Sequence, residues 1–147
     1  MIAAVLILVA GVLVGALLLL LALWFAYTYL LWRLGWRVFA QRYSTDLEAP
    51  QSFIAQSATF GHVFASYPFG VRLGFLPQGL HFSAALPLGV AHAPFLLPWA
   101  RLREAELQRG PYGERVRVML FDEAGRVTLV LPAAAWSALQ AARPPLR

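Results

Sequence analysis

The sequence contains no cysteine and no lysine; all twelve basic residues are arginine. Without cysteine there is no disulfide framework and no thiolate metal site. Without lysine, Schiff-base chemistry and a P-loop lysine are excluded. Charge is scarce as well. Only 13% of the 147 residues are charged while 60% are hydrophobic, and globular domains average about 25% charged residues. Such a composition excludes a disordered chain. The length suits one small domain, or a smaller one beside a membrane segment.

The longest absence is positional, since residues 1–32 carry no charge at all. About 20 apolar residues suffice to cross the hydrocarbon core, and backbone in lipid must satisfy its own hydrogen bonds. Residues 1–32 therefore read as a transmembrane helix. No basic residue precedes the run and its end is bulky and aromatic, so it reads as a retained anchor rather than a cleaved signal peptide. Trp24, Tyr27, Tyr29, Trp32 and Trp36 gather toward its end with Arg33 and Arg37, a collar suited to the membrane interface. Arg33, Arg37 and Arg42 after the span, with nothing basic before it, place the N-terminus outside and the head in the cytoplasm. Gly11 with Gly15 and Ala22 with Ala26 form small-xxx-small pairs suited to packing against other transmembrane helices. No ionisable side chain lies within the span, which argues against ion or proton passage along it.

Beyond the membrane flank, nine arginines meet seven acidic residues, and no basic face with stacking aromatics suggests nucleic acid. Residues 33–50 read as a helical stalk and linker, with Trp36, Phe39 and Tyr43 on one helical face. From residue 51 to 147 the pattern becomes short apolar runs punctuated by glycine and proline. Strands are expected at 59–66, 71–76, 80–86, 95–97, 102–107, 114–121 and 127–131, with a hairpin turn at Pro77-Gln78-Gly79. Residues 102–107 also have the propensity for a short helix. In the run ERVRVMLF, Val116, Val118 and Leu120 point one way and Arg115 and Arg117 the other. A helix after Pro132 closes the chain. Six or seven strands and a final helix make a small antiparallel barrel or sandwich.

The order of these elements is similar to that of pleckstrin-homology-like domains, in which two sheets are plugged by a final helix. The segments GWRVFAQRY and GLHFSAALPLGVAHAPFLLPW resemble a group of small bacterial single-pass membrane proteins. The resemblance implies a membrane-anchored head and brings no activity with it. His92-Ala93-Pro94 stands where that group has a His-Pro pair.

Signatures of catalytic chemistry are scarce. His62, His81 and His92 lack metal-ligand spacing. His81 is expected on the outer face of a strand, solvated or satisfied. No GxSxG elbow or paired carboxylates stand out, and Gly70, Gly74 and Gly79 lie among strands rather than before a helix. No cofactor, metal or small-molecule substrate is inferred. The apolar loop 86–99 is a candidate partner contact through His92, Phe95 and Trp99. The expected function is that of a non-catalytic accessory subunit of a larger membrane complex, of the respiratory or photosynthetic type. The alternative is anionic-lipid sensing through Arg101, Arg103, Arg115 and Arg117.

Overall fold

A computed structural model describes residues 1–61, 65–85, 88–90 and 92–145. His62, and parts of the expected strands 59–66 and 80–86, lie outside the described residues. The chain divides into two units, residues 1–30 and 31–147.

The first unit is almost entirely one helix, α1 (Ile2–Leu31). Apart from Leu31 at its end, its apolar side chains are exposed on every side, and the helical run Ile2–Arg42 is long and apolar enough to cross a membrane. Gly11 and Gly15 have nothing within 4 Å of their Cβ positions, and Ala22 and Ala26 are exposed too.

The second unit begins with a π-helical turn (Trp32–Trp36) and α2 (Arg37–Arg42). Among the described residues nine strands follow: β1 (Ser52–Ile54), β2 (Ser57–Phe60), β3 (Ser66–Pro68), β4 (Val71–Leu76), β5 (Gly79–Ala84), β6 (Phe95–Pro98), β7 (Leu102–Gly110), β8 (Gly113–Asp122) and β9 (Gly125–Pro132). Helix α3 (Ala135–Ala142) ends the fold. The strands form two antiparallel sheets, ordered β1-β4-β5-β6 and β3-β2-β9-β8-β7.

Period-two patterning explains the core. Val116, Val118 and Leu120 of β8 and Val127, Leu129 and Leu131 of β9 are buried, as strict alternation requires of a half-buried sheet. Leu73, Leu80, Phe82, Phe95 and Leu97 of the other sheet join the same core. Ala135 and Leu139 are the buried positions of α3, which packs against β4 and β9. Residues 102–107 are strand, because β7 pairs with β8 along most of its length and long-range pairing outweighs local helix propensity. The Pro77-Gln78-Gly79 turn joins β4 to β5 as expected. Gly79 is needed there for space, since a Cβ would sit 2.2 Å from the Leu97 carbonyl oxygen.

The stalk is part of the head. Leu31, Trp36, Phe39 and Ala40 belong to the core, so the compact unit begins at residue 31 rather than 51. Trp36, expected at the membrane interface, is 0% exposed. Its ring meets Phe60, Tyr67, His92 and Phe95 at centroid distances of 4.9 to 5.9 Å. Close approach depends on Gly35, where a Cβ would stand 2.8 Å from that of Phe60.

Candidate functional site

After α2, residues 44–51 form a strap across the outer face of the four-stranded sheet. The crossing starts at β6, where Leu96 N–H donates to the Tyr43 carbonyl at 2.9 Å and Ser44 bridges to Phe95. It reaches β4 at Gly74, where an added Cβ would lie 2.2 Å from that of Ala49. Glycine here admits the strap onto the sheet. Between its two footings the strap passes β5 and leaves an open cleft of about 570 Å³. Ser44, Thr45, Asp46, Leu47, Glu48 and Ala49 of the strap line it with Ser52, Arg72, His81 and Ser83 of the sheet, and Ala93 and Pro94 close it.

His81 is the unusual residue of this cleft. It does alternate outward from Leu80 and Phe82, as its place in β5 requires, yet it is only 6% exposed because the strap covers it. Its ring lies against the Leu47 backbone, and Nε2 has no hydrogen-bond partner among the described residues. Burial lowers the His81 pKa, against the opposing pull of the Leu47 backbone and the Glu48 carboxylate, which favours the neutral ring and leaves Nε2 unsatisfied. The expectation of a solvated or satisfied histidine is therefore corrected. A buried polar atom with no partner is a rarity in folded proteins.

A second polar cluster ties the stalk to the β8–β9 turn. Tyr43 Oη–H donates to Asp122 Oδ1 at 2.7 Å, and Ala124 N–H donates to Oδ2 at 3.1 Å. Arg101 Nε lies 3.1 Å from Oδ1 and Arg42 Nη1 3.7 Å from Oδ2. The Asp122 side chain is 1% exposed. Burial pushes its pKa up, but the Tyr43 and Ala124 hydrogen bonds and the two guanidinium groups outweigh burial and hold it below the usual carboxylate value. Burial, then the hydrogen bond to Asp122, raises Tyr43.

Two of the three expected partner contacts are buried. His92 is 2% exposed and Phe95 fully buried. His92 Nδ1 is 2.9 Å from the Leu88 carbonyl, which can only accept, so Nδ1 carries the hydrogen and Nε2 accepts from Tyr67 Oη at 3.1 Å. Phe95 stacks on Phe82 at 4.7 Å. Trp99 is half-buried; its Nε1–H donates to the Leu76 carbonyl at 2.9 Å and its ring stacks on Phe75. Residues 92–95 thus cover the aromatic core around Trp36, whose Nε1–H donates to the Ala93 carbonyl at 2.8 Å.

The four arginines proposed for lipid contact are not gathered into one basic face. Arg101 is engaged by Asp122, and Arg103 falls at the register shift of β7. Arg115 and Arg117 share the outer face of the second sheet with Glu104 and Glu106, and Arg117 Nη1 lies 3.8 Å from Glu106. Of the collar, Trp24, Tyr27, Tyr29, Arg33 and Arg37 are exposed. Trp24 and Tyr27 rings lie 6.5 Å apart, and the Arg37 guanidinium sits 5.1 Å from the half-buried Trp32 ring. Among the described residues no three histidine or carboxylate side chains are placed to hold a metal ion.

The sequence reading missed the strap cleft and the Asp122 cluster. Ser44 to Ala49 looked like a short polar linker, and the only local signal of its docking is Gly74 in the middle of a strand pattern. Comparison with protein-family models, with curated proteins and with solved structures finds no match to this chain.

Proposed function

We propose that the chain is a non-catalytic, single-pass membrane protein whose head serves as an accessory subunit of a larger membrane complex, of the respiratory or photosynthetic type. In this reading the membrane is the bacterial inner membrane, the N-terminus is outside and the pleckstrin-homology-like head is cytoplasmic. The arginine bias at Arg33, Arg37 and Arg42 supports the orientation. Two antiparallel sheets with a terminal helix packed against them support the fold assignment.

One observation carries the interaction role. Leu34 and Val38, one helical turn apart, remain 37% and 45% exposed beside a groove of about 310 Å³ floored by Gly61, Ala124 and Gly125. The exposed face of a solvated helix is ordinarily polar. An apolar face with a glycine-floored groove suits a neighbouring protein's side chains. Lipid sensing is the weaker reading, because Arg101 and Arg117 already face Asp122 and Glu106.

A photo-crosslinking residue placed at Leu34 or Val38 in native membranes should yield one discrete heteromeric product, while the same residue at Tyr112, on the β7–β8 turn, should yield none. A full chain that forms no adduct from either position, and runs as a lone monodisperse monomer in mild detergent, overturns the reading. A C-terminal reporter active only in the periplasm should stay silent.

A further inference from the structure

We propose that the cleft between the strap and the outer face of β4 and β5 binds a small zwitterion, a molecule carrying both an ammonium and a carboxylate, of the amino-acid or short-peptide class. This is independent of which complex the head joins.

The size of the cleft, about 570 Å³, lies within the range of about 300–1,000 Å³ usual for small-molecule sites. Its charges are divided by position. The strap contributes Asp46 and Glu48, and the sheet contributes Arg72, whose cross-strand neighbour is Ser83. The described ion pairs join Arg42, Arg101, Arg109 and Arg117 to acids outside the cleft. Neither strap acid nor Arg72 takes part in them, although both signs line one cavity.

His81 supplies an independent observation. It sits on the cleft floor opposite Gly74 in the β4–β5 register. Its Nε2 is buried and unpartnered. A ligand seated on the floor must therefore bring a hydrogen-bonding group to it.

These demands together select the ligand class. A simple anion would suit Arg72, but it would face two carboxylates. A simple cation would suit Asp46 and Glu48 and leave Arg72 opposed. An uncharged molecule would leave all three charges without partners. A zwitterion places its carboxylate at Arg72 and Ser83 and its ammonium toward the strap, and it carries both a donor and an acceptor for His81 Nε2.

The experiment uses the full chain in detergent micelles and the dipeptide L-alanyl-L-alanine, with its N-acetyl and C-amide derivatives as blocked controls. Binding is read from the His81 imidazole nitrogen resonances by NMR. The expected result is a saturable shift of Nε2 with the free dipeptide and affinities at least about tenfold weaker for each blocked form. Arg72→Gln should abolish discrimination against the C-amide. The double variant Asp46→Asn, Glu48→Gln should abolish discrimination against the N-acetyl form. Both variants alter exposed side chains, and their near-ultraviolet circular dichroism reports whether the head remains folded. No saturable shift up to about 20 mM dipeptide, equal responses to all three compounds, or unchanged discrimination in folded variants would each overturn the proposal.

Discussion

The Tyr43 hydroxyl donates to Asp122 Oδ1 at 2.7 Å, joining the end of the stalk to the turn between β8 and β9. Seventy-nine residues separate the two in the chain. The acceptor carboxylate is almost fully enclosed, and Arg42 and Arg101 reach it from either side. A charge-assisted bond to an enclosed group contributes more than a neutral surface bond. Tyr43→Phe should therefore lower the unfolding free energy of the full chain by about 1–2 kcal/mol, and Asp122→Ala by more. Thermal unfolding in detergent measures both, and unchanged stability in Tyr43→Phe would show the bond to be incidental.

The same carboxylate fixes an acid limit. Its folded-state pKa is lowered, so its contribution is fully present above the unfolded aspartate value of about 3.9 and is lost as pH falls through the folded value. Stability should decline below about pH 4 more steeply in the wild type than in Asp122→Asn. Denaturation curves collected at several acid pH values compare the slopes; parallel profiles would remove Asp122 from the account.

Much of the architecture was legible because its cause is local. The alternation in ERVRVMLF, the Pro77-Gln78-Gly79 turn and the uncharged first 32 residues all yield to periodicity and length. The third dimension was not legible. Trp36 has the composition of a membrane-collar residue, and only its contacts with Phe60, Tyr67, His92 and Phe95, all distant in sequence, make it a core residue. The polar segment 44–51 resembles any linker until Gly74 is seen to receive Ala49. Asp122 sits in a turn, where aspartate is common for local reasons, and its long-range partners leave no mark on the neighbouring residues.

Trp36 is the residue on which the stalk's attachment most depends. Trp36→Ala removes an indole packed on four rings and its hydrogen bond to the Ala93 carbonyl. A loss of about 3–5 kcal/mol is expected for a fully buried aromatic. Trp36→Phe retains much of the packing and should cost less. Protease susceptibility of residues 31–51 in each purified variant tests this ordering, and equal resistance in all three forms would contradict it.

Gly74→Ala tests the strap. The new Cβ would overlap that of Ala49 and press on the Gln51 carbonyl at 3.1 Å, so the strap must lift. The expected cost is about 1–3 kcal/mol, typical of overpacking. Amide exchange across residues 44–51 should accelerate while that of β8 and β9 stays slow. Unchanged protection in the strap would show that it does not rest on Gly74 as closely as the geometry indicates.

Two buried histidines set a second pH window, nearer neutrality. Burial lowers both His81 and His92, partly opposed by the Leu47 backbone and Glu48 in one case and by the Leu88 carbonyl in the other. The cleft around His81 also holds Asp46 and Arg72, whereas the polar neighbour of His92 is Tyr67. A depressed folded pKa means that the unfolded chain takes up protons first as pH falls below about 6.5. Stability is therefore fully present above that value and diminishes as pH falls below it toward the folded-state values. His81→Gln should flatten part of this decline, and the remainder should persist through His92. His62→Gln serves as a comparison. Unfolding free energies of the full chain in detergent at stepped pH supply the measurement. A flat wild-type profile, or one unaltered by His81→Gln, would mean that the buried ring is protonated within the fold.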